Sequence, residues 1–301
     1  MPGMRIAITG ASGFVGSAAA ADLQQAGHDV VRLVRQQPTY GNDVHWDPAT
    51  GELDHVALGA VDAVLHLAGE NVAGGRWSAA RKQRIAASRG PVTERLCRTL
   101  AALPQPPRAL VSASATGIYG DRGDSELDEH SEPGTGFLAD VARAWEAGTA
   151  PARDAGMRVV HLRLGMVLDP GGGALRKMLP PFRLGLGGRR GDGRQWTSWI
   201  TRGDLVRAIR FALEHGELSG PVLAVAPEPV TNAQFTQALA KALRRPAFLP
   251  VPAFALRLLF GEMAEALLLA SQRCRPQELL QAGFRFEQPA VGPALVRMLG
   301  R

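Results

Sequence analysis

The sequence predicts an α/β fold: a doubly wound, mostly parallel sheet buried on both faces, with a smaller lobe beside it. Three observations predict it. A glycine-spaced turn follows the first apolar run, short apolar runs recur with helical stretches between them, and the pattern changes abruptly after Leu168.

The first run, Arg5–Thr9, ends in Gly10-Ala11-Ser12-Gly13-Phe14-Val15-Gly16, and the alanine-rich stretch from Ser17 to Ala26 reads as helix. In a strand–turn–helix unit of this kind Gly10 allows the tight turn and Gly13 lets backbone approach a pyrophosphate. Gly16 lets the helix pack close to its strand, with the helix N-terminus facing the anion. The turn residues Gly10, Ser12, Gly13, Phe14, Val15 and Gly16 are therefore the expected dinucleotide contacts. Further strand-like runs follow at Val30–Val34, Ala63–Leu67, Ala109–Ser112, Val159–Leu164 and Val222–Val225. Several end in glycine or small polar residues (Gly69, Ser114, Gly165), where ligands sit in open α/β sheets.

Beyond Leu168, Asp169-Pro170-Gly171-Gly172-Gly173 breaks the chain, and Leu179–Arg194 is rich in Pro, Gly and Arg. A helix is expected over Ser198–His215, feeding the strand at Val222. Thr231-Asn232-Ala233-Gln234 reads as a helix cap leading into a helix from Phe235 to Leu243, and the rest of the chain as helical and proline-punctuated. The expected organisation is a Rossmann-type domain over residues 1–168, completed by 198–226. Residues 169–197 and 227–301 form the substrate lobe.

Composition excludes several functions. The chain has 301 residues, a net charge of +6 and two cysteines, Cys97 and Cys274, too few for a disulfide framework or a zinc site. Its basicity is an arginine preference spread along the chain, with lysine only at 82, 177 and 241. No basic run with interleaved aromatics points to nucleic acid, and the charge suits a small anionic ligand instead. The apolar segment Phe254–Ala270 carries Arg257, Glu262 and Glu265, which makes it an amphipathic helix rather than a membrane span. A first strand close to the N-terminus leaves no room for a signal peptide, so a cytoplasmic protein is expected. A homodimer is compatible with the sequence but not indicated by it.

Further stretches carry a resemblance: Asp62-Ala63-Val64-Leu65-His66-Leu67-Ala68-Gly69-Glu70-Asn71, Arg76-Trp77, Ser88-Arg89, Ser112–Gly120, Trp145-Glu146, Gly171–Ala174, Gly261–Ala264, Ser271-Gln272-Arg273 and Gly283–Phe286. With the glycine turn, they resemble the atypical "epimerase family" branch (NAD-dependent epimerase/dehydratase-like) of the extended short-chain dehydrogenases/reductases, with its C-terminal domain of unknown function. The resemblance implies that Leu67, Ala68 and Gly69 wall the adenosine side, and that Arg84, Arg89 and Val167 contact the cofactor. Cofactor choice has a physical basis. NAD-specific sites place an acid at the C-terminal end of the second strand, whereas here Arg35 stands there and Asp29 lies at the other end, so NADP is expected.

The chain departs from the superfamily at the chemistry. Aligned through Glu146, the usual Tyr-x-x-x-Lys positions are Leu138 and Ala142, and the two tyrosines, Tyr40 and Tyr119, are followed four residues later by Val44 and Gly123. The remaining candidates for catalysis are Ser114, Thr116, Tyr119 and Glu70, with Asn71 beside them; each has a structural alternative as a capping or packing group. His66 reads as a core histidine. The acidic stretch Asp121, Asp124, Glu126, Asp128, Glu129 reads as a solvated face, and no metal site is expected. Two functions are consistent with these features: an NADP-dependent oxidoreductase or epimerase acting on a small polar substrate, or a non-catalytic NADP(H)-binding sensor or interaction module.

Overall fold

A computed structural model of the chain describes residues 3–300. Seven strands form the main sheet: β1 (Arg5–Thr9), β2 (Asp29–Val34), β3 (Asp43–His45), β4 (Ala63–His66), β5 (Ala109–Ala115), β6 (Arg158–Leu164) and β7 (Gly220–Ala224). Their order is β7-β6-β5-β4-β1-β2-β3, and every neighbouring pair is parallel. The direction of winding therefore reverses between β1 and β4, opening a crevice at their C-terminal ends. β3 is the strand the apolar runs did not reveal. It has three residues at the sheet edge, with one carboxylate (Asp43) and one imidazole (His45) among them.

The larger helices are α1 (Gly16–Gln25), α2 (Gly90–Ala101), α3 (Phe137–Ala147), α4 (Gly173–Arg183), α5 (Arg202–Glu214), α6 (Asn232–Leu243), α7 (Ala253–Phe260) and α8 (Val291–Leu299). Alternate residues of each buried strand serve opposite cores. Ile6 and Ile8 pack with Leu23 of α1 and Leu205 and Ile209 of α5; Ala7, Val31 and Val64 pack with Leu96, Cys97 and Leu100 of α2. A third core, with Leu168, Leu175, Leu179, Phe235, Leu239 and Leu295, belongs to the lobe.

The chain beyond Leu168 differs from expectation in four places. α5 begins at Arg202, not Ser198: Thr201 caps it by accepting the Asp204 amide, and the preceding Trp196–Thr197 and Trp199–Thr201 are short strands. Aromatic and β-branched side chains there favour the extended backbone over a helix. The glycine-rich break runs directly into α4, which carries Pro180 and Pro181 inside it. The segment from Phe254 divides at Gly261, where φ is +60°, into α7 and a short π-helical stretch, Ala264–Leu269. The tail is divided too. Arg273–Cys274 pairs with Glu126–Leu127, and Leu279 and Phe284 enter the core of the main sheet, so this stretch belongs to the larger body rather than the lobe. By contrast α6 has the expected cap, a reciprocal box between Thr231 and Gln234.

Candidate functional site

The glycine turn lies at the crevice between β1 and β4. Gly10 has φ +71°, and a Cβ there would lie 3.0 Å from the Ala68 amide nitrogen. A Cβ on Gly16 would stand 2.1 Å from the Gly10 carbonyl oxygen, so only glycine lets α1 approach its strand this closely. Ser12 and Gly13 are exposed, and the one close neighbour of a Gly13 Cβ is the Gly10 carbonyl oxygen at 3.1 Å. No side chain caps α1, and the amides from Phe14 to Gly16 find no acceptor among the described residues. Free amides at the positive end of a helix, behind an uncovered glycine, fit a pyrophosphate.

Phe14 is gripped from the lobe side. A Cβ on Gly172 would meet its Cδ2 at 2.3 Å, and one on Gly173 its Cε1 at 3.0 Å. The Arg202 guanidinium lies 5.2 Å from the ring centroid and pairs with Asp169 at 3.0 Å. The glycines after Asp169 thus form the seat of a side chain of the glycine turn. Val167 sits half-buried on the adjoining strand Met166–Asp169.

Beyond the turn, Thr9 Oγ1 accepts the Leu67 and Ala68 amides at 3.2 and 3.3 Å, and its hydroxyl is 2.7 Å from His66 Nδ1. With both amides on the oxygen, the hydroxyl proton goes to Nδ1, leaving Nε2–H to donate to Thr93 Oγ1 at 3.0 Å. His66 is fully buried, and burial, reinforced by Arg89, lowers its pKa to about 4. It is the core histidine expected, and it holds the Leu67–Gly69 wall in place. Arg89 lies beneath that wall. Its guanidinium donates to the Glu70 carbonyl (3.0 Å) and the Ile85 carbonyl (3.2 Å) and stacks over Trp145 at 4.8 Å. Burial draws its pKa down to about 10. Arg35 follows β2 directly, exposed and with no side-chain partner among the described residues, and Arg84 is exposed on the helix Ala79–Ala87.

Of the four candidate catalytic groups, three are engaged structurally. Ser114 donates to Glu146 Oε1 (2.7 Å) and Thr116 to Gln272 Oε1 (2.7 Å). Tyr119 is fully buried; its hydroxyl donates to the Asp128 carbonyl and accepts from Arg163 Nη1, each at 2.8 Å. Burial raises its pKa despite the Arg163 charge beside it, so the acid/base role considered for this phenol does not suit its position. Glu70 differs: its backbone is tied to Ser88 and Arg89, while its half-buried carboxylate has no partner among the described residues.

Sequence reasoning missed the ion pair that organises this region. Arg163 on β6 grips both oxygens of Glu146 on α3, Nε to Oε1 at 2.8 Å and Nη2 to Oε2 at 2.9 Å. Burial works against the Glu146 carboxylate, yet the two Arg163 bonds prevail and hold it below the usual carboxylate range. The pair comes from residues seventeen apart on different elements, so no spacing rule exposes it. On α3, Ala142 is buried against the Ile118–Tyr119 turn and Leu138 faces Gly117, so apolar packing fills the sites of the missing dyad.

The acidic stretch is a solvated face only in part: Asp121, Asp124 and Glu126 are exposed, but Glu129 is not. Glu129 is buried and accepts the amides of Leu223, Gln277 and Glu278 at 3.0–3.3 Å. Asp121 accepts the Ser271 amide, and Glu126 pairs with Arg273. These carboxylates dock the tail on the sheet. No group of metal-ligating side chains occurs among the described residues, nor any helix long and apolar enough to cross a membrane.

Comparison with known proteins agrees with this fold. The model of the NAD dependent epimerase/dehydratase family matches residues 6–226, and that of a domain of unknown function matches residues 251–298. An epimerase family protein of Mycobacterium bovis is 47% identical over 290 residues, 96% of each chain. The Homo sapiens epimerase family protein SDR39U1 is 38% identical over 295 residues, 97% of this chain and 98% of that one. The crystal structure of the human protein (isoform 2) with NADPH matches with a TM-score of 0.91 at 34% identity, covering 98% of this chain and 99% of the other. A UDP-glucose 4-epimerase from Thermotoga maritima, 18% identical with a TM-score of 0.77 over 98% of this chain and 97% of its own, shares the fold.

Proposed function

The chain belongs to the NAD dependent epimerase/dehydratase family, and from that premise we propose that it binds NADPH across the β1/β4 crevice as an oxidoreductase- or epimerase-type protein with a small polar substrate. The observation that carries this reading is the uncovered glycine turn backed by the free amides of Phe14–Gly16; the human relative crystallised with NADPH supports it. Bound NADPH would supply a hydride at its nicotinamide ring. The chain's own part is to hold the pyrophosphate at α1, to present Arg35 to the 2′-phosphate and to wall the adenosine with Leu67–Gly69. Of the groups considered for proton transfer, Glu70 alone has an unengaged side chain, and the role is assigned to it.

Titration calorimetry with NADPH and NADH tests the cofactor. NADPH should bind about ten- to a hundredfold more tightly, since a charge-assisted contact to phosphate contributes about 1.5–3 kcal/mol. Arg35→Asp should abolish that preference. If it is unchanged, the 2′-phosphate is recognised elsewhere. A carbonyl panel tests the chemistry: Glu70→Gln should slow NADPH oxidation without weakening NADPH binding, and no activity is expected in sugar-nucleotide 4-epimerase assays. The second reading, a non-catalytic NADPH-binding module, is favoured by the structural engagement of Ser114, Thr116 and Tyr119. Tight NADPH binding with no turnover across the panel would select it.

A further inference from the structure

The arginines of this chain are spread along it, but the acids that would neutralise them are not. Residues 170–191 and 229–261 contain nine of the 34 lysines and arginines and none of the 28 aspartates and glutamates. The whole chain carries +6, so everything outside these two stretches is net acidic. Among the described residues Arg257 alone of the nine meets a carboxylate, that of Glu265. The same stretches hold most of the large apolar side chains that the fold leaves outside. Leu184 and Leu186 follow α4, and Phe248 and Leu249 precede α7, all four exposed. On α7 itself Phe254, Leu258 and Leu259 are exposed, while Leu256 is buried.

Folding joins the two stretches. The Leu249 amide donates to the Gly187 carbonyl at 3.3 Å, the Val251 amide to the Arg189 carbonyl at 2.8 Å, and the Gly191 amide to the Val251 carbonyl at 2.9 Å. A Cβ on Gly185 would meet Pro246 Cγ at 3.4 Å, and one on Gly191 would lie 3.8 Å from the Cβ of Ala253, where α7 begins. The result is one acid-free ribbon running into α7, with Arg183, Arg189, Arg244, Arg245 and Arg257 exposed along it. A patch that is both apolar and cationic over this length marks a surface for something else.

Charge and shape decide what covers it. A self-complementary contact with a second copy would set nine cations against nine. Phe248, Phe254 and Leu258 are 70–74% exposed. Side chains standing this far out do not line a groove for a partner's helix, but they suit a soft interface that closes around them. We propose that the ribbon and α7 form a membrane-docking face, on which the lobe lies against an anionic lipid surface. Phe254 and Leu258 enter the boundary between headgroups and acyl chains, and the arginines meet the lipid phosphates. With eight residues α7 lies on such a surface and does not span it.

The test uses the full chain and vesicles of phosphatidylcholine, alone or with about one part in three of phosphatidylglycerol. The protein should sediment with the anionic vesicles and stay free of the neutral ones, and added salt should weaken the binding. Phe254→Ser with Leu258→Ser, and separately Arg244→Glu with Arg245→Glu, should each weaken it about tenfold or more. All four side chains are exposed, so both variants should keep the denaturant midpoint of the parent. Cys97 and Cys274 are buried, so Leu258→Cys can be labelled selectively. An environment-sensitive dye there should shift to the blue on anionic vesicles, which reports insertion even if a double variant fails to fold. No binding to either vesicle, or equal binding to both, would overturn the proposal. So would binding that responds to the arginines alone with no dye shift, which is adsorption of a basic protein through charge. A dimer in free solution that Phe254→Ser with Leu258→Ser disperses would overturn it as well and give the face to a second copy.

Discussion

At the scale of the residue, two buried groups set how this protein responds to pH and to substitution. His66 is neutral in the folded chain, with a pKa of about 4, against about 6.5 when unfolded. As pH falls from 6.5 towards 4 the unfolded chain takes up a proton that the folded chain refuses. Stability is therefore lost across that window, by up to roughly 3 kcal/mol. Denaturant midpoints measured from pH 7 to 4.5 should show this slope, and His66→Gln should flatten it even though the variant is less stable at pH 7. An unchanged slope would assign the effect to other groups. The Glu146–Arg163 pair acts through geometry. Both side chains are largely buried, so Arg163→Met strands a carboxylate and should cost about 3–5 kcal/mol, while Ser114→Ala should cost about 1–2 kcal/mol. Equal losses in denaturant unfolding would mean that the pair is not the organising contact.

At the scale of the element, the glycine turn was legible in the sequence because steric demands select one residue type: Gly10 needs a positive φ and Gly16 has no room for a Cβ. Gly13 is different, since its φ is not left-handed and only the Gly10 carbonyl oxygen, 3.1 Å away, crowds its Cβ direction. Gly13→Val should therefore fold, with a shift of a few tenths of an ångström at that carbonyl, and lose NADPH binding, because the side chain fills space left for a ligand. Retained binding would place the pyrophosphate elsewhere. The seat of Phe14 was not legible. Glycines after Asp169 read as a chain break, and nothing in their spacing says that an aromatic ring from the first turn lies against them. Gly172→Val forces Phe14 aside and, by overpacking alone, should cost about 1–3 kcal/mol. Part of that cost should appear as weaker NADPH binding, since Phe14 belongs to the glycine turn proposed to hold the pyrophosphate. Adding Phe14→Ala to Gly172→Val should recover much of the loss of stability; no recovery would show that the two do not clash.

At the scale of the whole molecule, periodicity revealed six of the seven sheet strands, because strands buried on both faces are apolar runs. It placed the whole tail in the lobe, because helical patterning says which face is apolar and not which core receives it. What directs residues 271–284 back to the sheet is an acidic loop 150 residues earlier, whose carboxylates accept tail amides. Docking of that kind leaves no local sequence signature. It also means that the matched segment 6–226 is not a self-sufficient body. A chain ended after Ala226 would lose Leu279 and Phe284 from the sheet core, at roughly 1.5–3 kcal/mol each. It would also leave the buried Glu129 without the Gln277 and Glu278 amides, at a further 1–3 kcal/mol or so. Those losses are comparable with the whole stability of an ordinary domain, about 5–15 kcal/mol. The shortened chain should show no cooperative denaturant transition, whereas the full chain should unfold with lobe and sheet together. A cooperative, NADPH-binding fragment 1–226 would demonstrate instead that the tail is an appendage and that the sheet closes its own core.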